Sequence, residues 1–317
     1  MHNLLDKKEY DFVKTNPDLN EIIYLVLSGS HGYGTNNENS DIDLRGVLIE
    51  DRKYIYGLKS FEQFEDLPSD TVIYGLKKFV RLCADANPNA LELLGVNDNC
   101  IVIMNDKGEV LRDSVHLFLS KRVINSFGNY ATAQLRRLQN ALCHDAYTEQ
   151  EQAKHLRNCL NAQLEHFRRT YTSFGHGAIK IYENQKNGNL EFDINLKGYP
   201  VKDFAGIYSE LSNTVKTYNK LNHRNNKKDE THLYKHAMHL IRLLITGTDI
   251  LSGKGIVTHR RNEHALLMDL RNGCFTFEEI FKLTDEYQAK FEKAAKNTTL
   301  PCTPDFDAID RFLAGMY

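Results

Sequence analysis

Apolar residues along the chain follow two periods, and the change between them divides the sequence into two regions. Residues 21–27 form a continuous run of β-branched and aliphatic side chains, which predicts a strand buried on both faces. Residues 42–50 and 70–74 have a similar composition and predict two more strands. Between residues 75 and 86, apolar side chains recur at intervals of three and four, which predicts an amphipathic helix. The first part of the chain therefore combines strands with helix.

Helical spacing dominates the rest of the chain. Long helices are predicted at about residues 120–145, 149–173, 201–222, 230–247 and 276–297. One exception is a pair of alternating segments, residues 178–183 and 190–195, on either side of Asn187 and Gly188. An Asn-Gly pair between alternating segments is the usual signal for a β-hairpin.

The sequence thus predicts an α+β fold of two domains. Residues 1–105 are expected to form a mixed-sheet domain, in which residues 3–15 add a short helix and residues 54–65 add one or two short strands. Residues 106–317 are expected to form a mainly helical domain with a small β-hairpin.

The composition excludes several classes of protein. Hydrophobic residues make up 41% and charged residues 26%, as in ordinary globular proteins. No run approaches the ~20 apolar residues that span a bilayer, and the first residues lack the apolar core of a signal peptide, so we expect a cytoplasmic protein. The six cysteines form no C-x-x-C pair, which argues against a disulfide framework and a thiolate zinc site. A net charge of −2 excludes nucleic-acid binding by bulk charge alone.

The candidate chemistry lies between the first two predicted strands. Asp41 and Asp43 stand one residue apart on the second of these strands. Side chains at positions i and i+2 of a strand share a face, so the two carboxylates should lie about 6–7 Å apart. Like charges this close are unfavourable unless they share a cation, and hard oxygen ligands suit Mg²⁺. A pair of such metals activates an attacking oxygen and stabilises the leaving oxygen during displacement at phosphorus.

Gly29 and Ser30 form the second half of this candidate site. Gly29 allows the backbone to approach a phosphate closely, the amides after it are available to its oxygens, and Ser30 adds a hydroxyl donor. The absence of G-K-[ST] excludes a P-loop. The Gly32–Gly34 segment lacks the third glycine of a dinucleotide fingerprint.

Together these residues resemble the signature of the DNA polymerase beta superfamily of nucleotidyltransferases. That signature is an apolar strand, G-[GS], a D-x-[DE] triplet and a third carboxylate on a later strand. The resemblance implies that Asp41 and Asp43 ligate catalytic Mg²⁺ or Mn²⁺, and that the third carboxylate shares the metal site and aligns the acceptor hydroxyl. Asp70, at the head of the strand predicted at residues 70–74, is the first candidate for this role. Glu65 and Asp66 are the alternatives.

Further segments resemble one branch of this superfamily, the RlaP-like group of bacterial and phage nucleotidyltransferases, which is linked in name to RNA repair. The segments are SDIDLRG, NPNALELL, KHAMHLIRLL and LPCTPDFDAIDRFL. The resemblance implies that residues 1–105 are the catalytic domain, that residues 106–317 bind nucleotide and acceptor, and that an NTP, with ATP expected, donates its NMP to a hydroxyl.

The acceptor is open at this point. An RNA end is the expected acceptor, and a protein side chain, as in AMPylase-like, toxin-neutralising relatives, is the alternative, followed by a small-molecule hydroxyl. A catalytically silent nucleotide sensor is the alternative from a different class. The intact Asp41 and Asp43 argue against silence, because degenerate members usually lose a carboxylate.

Several cationic side chains are candidates for nucleotide binding. Lys235, His239 and Arg242 share one face of the helix predicted at residues 230–247, and such a stripe suits a triphosphate. The alternative is a solvated polar face, with His239 in a structural role.

His31 lies inside the phosphate loop, where it either contacts the nucleotide or packs as a loop side chain. Arg45 is predicted to point to the same strand face as Asp43, where it pairs with carboxylates or reaches a phosphate.

Basic residues on two predicted helices offer a surface that suits RNA. They are Lys121, Arg122, Arg136, Arg137, Lys154, Arg157, Arg168 and Arg169. Acidic residues also lie on these helices, so a solvated surface is the favoured interpretation. His259, Arg260 and Arg261 form a basic loop with the same two interpretations.

Overall fold

The computed structural model describes residues 4–142, 149–171, 174–175, 177–184, 189–223 and 230–317. These residues form two compact units. The first unit, unit 1, combines the chain up to Leu135 with the chain from Tyr234 onward, and unit 2 contains residues 136–233. The domain boundary expected near residue 105 stays a prediction.

A mixed five-stranded sheet lies in unit 1, as the sequence predicted. Its strands are β1 (Ile22–Leu27), β2 (Leu44–Leu48), β3 (Gln63–Asp66), β4 (Thr71–Gly75) and β5 (Ile101–Met104). The spatial order is β3-β4-β2-β1-β5, in which β2 and β4 are parallel and the other neighbours antiparallel. Strand β5 was not predicted, because an apolar run of four residues is too short for its period to indicate a strand.

Burial explains the elements that the sequence predicted well. Residues 23–26 of β1 have no exposed surface, which confirms a strand covered on both faces. The helix that follows β4 buries Leu76, Phe79, Val80 and Cys83 on one face. Removal of these side chains from water is the main force that holds the helix against the sheet.

The α-helices occupy most of the remaining chain. They are α1 (Phe12–Thr15), α2 (Gly29–Tyr33), α3 (Arg52–Ile55), α4 (Leu76–Ala84), α5 (Pro88–Leu91), α6 (Asp106–Asp113), α7 (Arg122–Leu142), α8 (Glu149–Thr170), α9 (Val201–His223), α10 (Glu230–Leu251), α11 (His264–Arg271), α12 (Phe277–Asn297) and α13 (Phe306–Met316). Short 3-10 helices are present at Leu4–Asp6, Lys8–Tyr10, Pro17–Leu19, Glu92–Gly95, Asp98–Cys100 and Ser114–Leu117.

Three local expectations differ from the structure. The helix expected at residues 3–15 is instead a series of short turns, since no stretch there has an apolar face long enough to pack as one helix. Of the one or two short strands expected at residues 54–65, one is present, β3, which begins only at Gln63, and the segment starts with the end of α3. Helices α11 and α13 were not predicted, because each is short.

Unit 2 has its own core and the predicted hairpin. Strands β6 (Ile179–Glu183) and β7 (Leu190–Ile194) pair antiparallel, with Ile179 opposite Ile194. The Asn187-Gly188 turn lies outside the described residues. The core side chains are Leu160, Leu164, Phe167, Phe174, Ile179, Ile181 and Ile207.

The structure also describes the cysteine residues and the helices, for which composition argued against disulfides and membrane spans. The cysteines at positions 83, 100, 274 and 302 are free thiols, and Cys143 lies outside the described residues. Within the part of the chain that the structure describes, no helix is both long enough and apolar enough to cross a membrane.

Replacement of Phe79 tests the packing of α4 on the sheet. Phe79 has no exposed surface, so Phe79→Ala should cost about 3–5 kcal/mol of unfolding free energy, measured by urea denaturation. The control is Phe306→Ala, because Phe306 is 48% exposed and should cost within about 1 kcal/mol. Equal costs for the two variants would contradict this account of the core.

Candidate active site

The turn from β1 into α2 places the backbone of Gly29 against the carboxylate of Asp43. Gly29 has a φ of +56°, in the left-handed region that favours glycine. A Cβ atom at this position would lie 1.8 Å from Asp43 Oδ2. The Ser28 amide donates a 2.8 Å hydrogen bond to the Asp43 carbonyl oxygen, so the start of α2 and the D-x-D segment are joined side by side. The segment from Gly29 to Tyr33 is therefore a short helix and not the loop that was expected.

The position of the D-x-D triplet corrects one expectation. Strand β2 begins at Leu44, so Asp41 and Asp43 precede the strand instead of lying on it. The physical reason is that β1 ends at Leu27 and turns away at Ser28, which leaves no strand beside residues 41–43. The carboxylates are not held at a fixed spacing by a strand pleat, and Asp41 is exposed.

Asp70 is the carboxylate that the structure brings to Asp43. The two carboxyl groups are within hydrogen-bonding reach, and burial together with this bond and the charge of Asp70 raises the pKa of Asp43 to about 6. The hydrogen bond with Asp43, aided by Arg45, lowers the pKa of Asp70. One proton shared by two carboxyl groups is the expected state when like charges stand this close.

Two cations lie beside this carboxylate pair. Arg45 pairs with Asp70 at 2.8 Å and also donates to the carbonyl oxygens of Asp70 and Leu44. The positive charges of Arg45 and then Lys235 partly offset the rise in the pKa of Asp43, which places both side chains near its carboxylate. Lys235 is exposed at the start of α10. The site thus contains an acidic pair with two cations nearby.

The two alternatives for the third carboxylate lie elsewhere. Asp66 accepts hydrogen bonds from the Ser69 amide at 3.1 Å and the Ser69 hydroxyl at 2.6 Å, which stabilise the turn before β4. Glu65 is on the edge strand β3, opposite Val72. Asp70 itself has a φ of 43°, a left-handed conformation that aspartate tolerates better than most residues.

The other two members of the stripe on α10 lie near Tyr33. The Arg242 side chain is 5% exposed and pairs with Glu92, which is 3% exposed. Burial, with the charges of Arg242 and Lys235, lowers the pKa of His239 to about 3, so this imidazole is neutral. Its ring meets the Tyr33 ring edge-on at 6.4 Å. Arg242 would contact a nucleotide only if its pair with Glu92 opened.

Several side chains that were not predicted from the sequence hold α2 and the following loop in place. Tyr33 donates a 2.7 Å hydrogen bond to Glu92. Arg271 donates to the Thr35 carbonyl oxygen, and to the Ser40 hydroxyl at 3.1 Å. A lone glutamate inside the apolar run ALELL was a usable signal for a buried ion pair, because unpaired buried carboxylates are rare. Arg271 gives no comparable signal.

The remaining histidine of the phosphate segment is His31. Its Nε2 atom is buried and has no hydrogen-bond partner among the described residues. Its carbonyl oxygen accepts a bond from the Cys100 thiol at 3.5 Å. Contact between His31 and a nucleotide stays a prediction.

The basic residues considered for RNA binding are partly committed to ion pairs. Arg122 pairs with Asp85 at 2.7 Å, and Arg168 pairs with Glu165. Arg260 is 2% exposed and pairs with Asp249 at 2.7 Å, so it is not offered to an acceptor phosphate. The side chain of Arg169 lies outside the described residues. An RNA surface on these helices stays a prediction.

The carboxylates can be compared with the needs of a divalent cation. Among the described residues, no three His, Cys, Asp or Glu side chains are gathered closely enough to hold a metal ion. The Asp43–Asp70 pair nevertheless has the hard oxygen donors and the mutual repulsion that a shared Mg²⁺ would relieve.

Comparison with known protein families gave a match over the N-terminal part of the chain. Residues 7–154 match the model of a family described as RlaP, RNA repair pathway DNA polymerase beta family. A search of curated proteins and a search of solved structures each found no match. The matched segment includes Gly29, Ser30 and all the candidate carboxylates.

Replacement of Gly29 tests the contact with Asp43. Gly29→Ala should displace the Asp43 carboxylate from Asp70, so the pKa of Asp43, followed by ¹³C NMR of its carboxyl carbon, should fall from about 6 towards 3.8. Gly253→Ala is the matched control, since Gly253 has a φ of +78° with no atom within 4 Å of an added Cβ. An unchanged pKa of Asp43 in Gly29→Ala would contradict the contact.

The raised pKa of Asp43 also predicts a pH dependence of stability. A carboxyl group whose pKa is higher in the folded than in the unfolded state stabilises the fold when protonated. The unfolding free energy should therefore decrease as pH rises from about 3.8 to about 6, and Asp43→Asn should show a shallower decrease across this window. Urea denaturation at a series of pH values measures both slopes, and parallel curves would count against the raised pKa.

Proposed function

Because the chain belongs, through residues 7–154, to the RNA repair pathway DNA polymerase beta family, we propose that it is a metal-dependent nucleotidyltransferase. In the proposed reaction, the oxygen of an acceptor hydroxyl forms a bond to the α-phosphorus of an NTP. The bond from that phosphorus to the bridging oxygen breaks, and pyrophosphate leaves. Family membership indicates a polymerase beta-type nucleotidyltransferase linked to RNA repair, and the reaction, metal and acceptor are our proposals.

The observation that carries the proposal is the approach of Asp43 and Asp70 to each other beside the glycine that begins α2. Burial, the hydrogen bond with Asp70 and the charge of Asp70 together raise the pKa of Asp43 to about 6, and two carboxyl groups in such surroundings are suited to a cation. Because Gly29 has no Cβ, the backbone at the start of α2 approaches the Asp43 carboxylate closely, which brings the first amides of α2 beside the pair. These are the two requirements of phosphoryl transfer, in which catalysis is mainly positioning and charge stabilisation.

The metal proposed for the site is Mg²⁺ or Mn²⁺, held by Asp41, Asp43 and Asp70. When bound, such a cation neutralises charge that develops on the phosphate oxygens and on the attacking oxygen. Asp43 would lose its proton on binding the cation, because a carboxylate and not a carboxyl group is the ligand. The affinity for Mg²⁺ should therefore rise as pH increases towards about 6.

The protein's own side chains supply the rest of the chemistry in this proposal. Asp70 accepts a hydrogen bond from the acceptor hydroxyl and aligns its oxygen, a task that suits a carboxylate with a lowered pKa. Arg45 holds Asp70 in position through their 2.8 Å pair. Gly29 and Ser30 bind phosphate oxygens, and Lys235 adds positive charge near the pyrophosphate that leaves.

The acceptor we propose is an RNA end, with ATP as the expected nucleotide. The RNA repair pathway named in the family description supports this choice. A protein side chain, a small-molecule hydroxyl and a silent nucleotide sensor are the other outcomes of the test.

Transfer of label tests the proposal directly. The protein is incubated with each α-³²P-labelled NTP, Mg²⁺ or Mn²⁺, and total cell extract. Label on nuclease-sensitive material supports RNA, and label on protease-sensitive material supports protein modification. Label on small molecules points to a small hydroxyl acceptor, and the absence of transfer with retained NTP binding points to a sensor.

Carboxylate variants test the assignment of residues in the same assay. Asp41→Asn, Asp43→Asn and Asp70→Asn should each lower kcat/KM by roughly 1000-fold or more, which corresponds to about 4 kcal/mol of lost transition-state stabilisation. Asp66→Asn is the control and should remain within about tenfold of the unaltered protein. Normal transfer by a protein that lacks both Asp41 and Asp43 carboxylates would refute the catalytic assignment. A loss in Asp66→Asn but not in Asp70→Asn would move the third carboxylate.

A further inference from the structure

We propose that Tyr33, Glu92 and Arg242 form an anchor cluster that positions α2 for nucleotide binding. This inference rests on the proposed function, because it assigns to α2 the task of holding the phosphates. The three residues are positioning residues, since they act on the nucleotide through the backbone of Gly29 and Ser30 and not by touching it.

Each member of the anchor cluster contacts the other two. The Tyr33 hydroxyl donates to one Glu92 carboxylate oxygen at 2.7 Å, and the Arg242 guanidinium donates to the other. The guanidinium also lies over the Tyr33 ring, with its central carbon 3.6 Å from the ring centroid. Burial raises the pKa of Tyr33, so its hydroxyl keeps its proton and acts as a donor. The cluster therefore fixes both the position and the plane of the Tyr33 ring.

The length of α2 explains why it needs an external anchor. Helix α2 contains five residues, and an isolated helix this short is not stable in water. Gly29 at its start is fixed by its approach to Asp43, and Tyr33 is its last residue. With both ends fixed, the helix axis and the direction of its first amides are determined.

A buried ion pair is a poor source of net stability, which favours a positioning role. The side chains of Arg242 and Glu92 are 5% and 3% exposed, so both lost their hydration on folding. Apolar residues of similar volume would often stabilise such a site as well or better. What an ion pair adds is a defined geometry, here between α10 and the 3-10 helix that begins at Glu92, to which Tyr33 joins α2 through its hydrogen bond.

The same contact also sets the position of α10 relative to the carboxylates. Arg242 is seven residues after Lys235, two helical turns along the same face. Anchoring of α10 at Arg242 thus holds Lys235 near Asp43, whose pKa it lowers. The anchor cluster therefore positions α2 and Lys235 together.

The decisive variant is Tyr33→Phe, which removes only the hydroxyl and keeps the ring under Arg242. Tyr317→Phe is the matched control, because Tyr317 donates a 2.5 Å hydrogen bond to the buried Glu50, past the far end of β2 from Asp43. With ATP, Mg²⁺ and an RNA acceptor, we expect KM for ATP to rise roughly tenfold in Tyr33→Phe, as for loss of one hydrogen bond to a charged group. We expect kcat to change by less than about twofold, and the control to keep both constants.

The division between KM and kcat separates positioning from a purely structural role. A variant that only unfolds more easily has fewer active molecules, which lowers the maximal rate and leaves KM unchanged. Glu92→Gln should raise KM as well. The double variant should resemble the stronger single variant, since both changes break the same contact.

Hydrogen exchange without nucleotide gives a readout that does not need activity. The amides of Gly32, Gly34 and Thr35 bond to the carbonyl oxygens of Ser28, His31 and Ser30. They should exchange at least several-fold faster in Tyr33→Phe than in Tyr317→Phe. Equal exchange and an unchanged KM for ATP in Tyr33→Phe would overturn the inference. If the unaltered protein transfers no nucleotide, the proposed function fails, and the exchange rates alone decide whether the cluster anchors α2.

Discussion

The close approach of Asp43 to the backbone of Gly29 is the constraint on which the rest of the candidate site depends. No side chain fits between them, since a Cβ atom on Gly29 would overlap the carboxylate. The left-handed turn at Gly29 and the hydrogen bond from Ser28 bring the amides of α2 and the acidic segment to the same place. The amides and the carboxylates that we propose for phosphate and metal binding are thus assembled by one turn of the chain.

This arrangement keeps two carboxyl groups together at a cost to the fold. The pKa of Asp43 is raised because its charge is partly buried and faces Asp70, and Arg45 and Lys235 offset that cost only in part. Functional sites commonly hold groups in states that the rest of the structure must support. The large apolar core around β1 provides that support.

Residues of the site that lie close together in the sequence could be predicted, and contacts between distant residues could not. Gly29, Ser30, Asp41 and Asp43 could be singled out from the sequence because one short segment of the chain contains them all. The start of β2 was misplaced because it depends on where the neighbouring strand turns away, at Ser28, which no local period reveals. The pair between Glu92 and Arg242 joins positions 150 residues apart, and no local pattern indicates that the two meet. Proximity of this kind is set by tertiary packing alone.

The same separation has a consequence for synthesis of the chain. Glu92 leaves the ribosome 150 residues before Arg242, roughly 8–30 seconds earlier at ordinary elongation rates. During that interval the nascent sheet has a glutamate that belongs in the interior but lacks its cation, and an uncompensated buried charge is strongly destabilising. Helix α2 therefore becomes fixed only late in translation. A chain that is interrupted before α10 is expected to fold incompletely and to be a substrate for quality control.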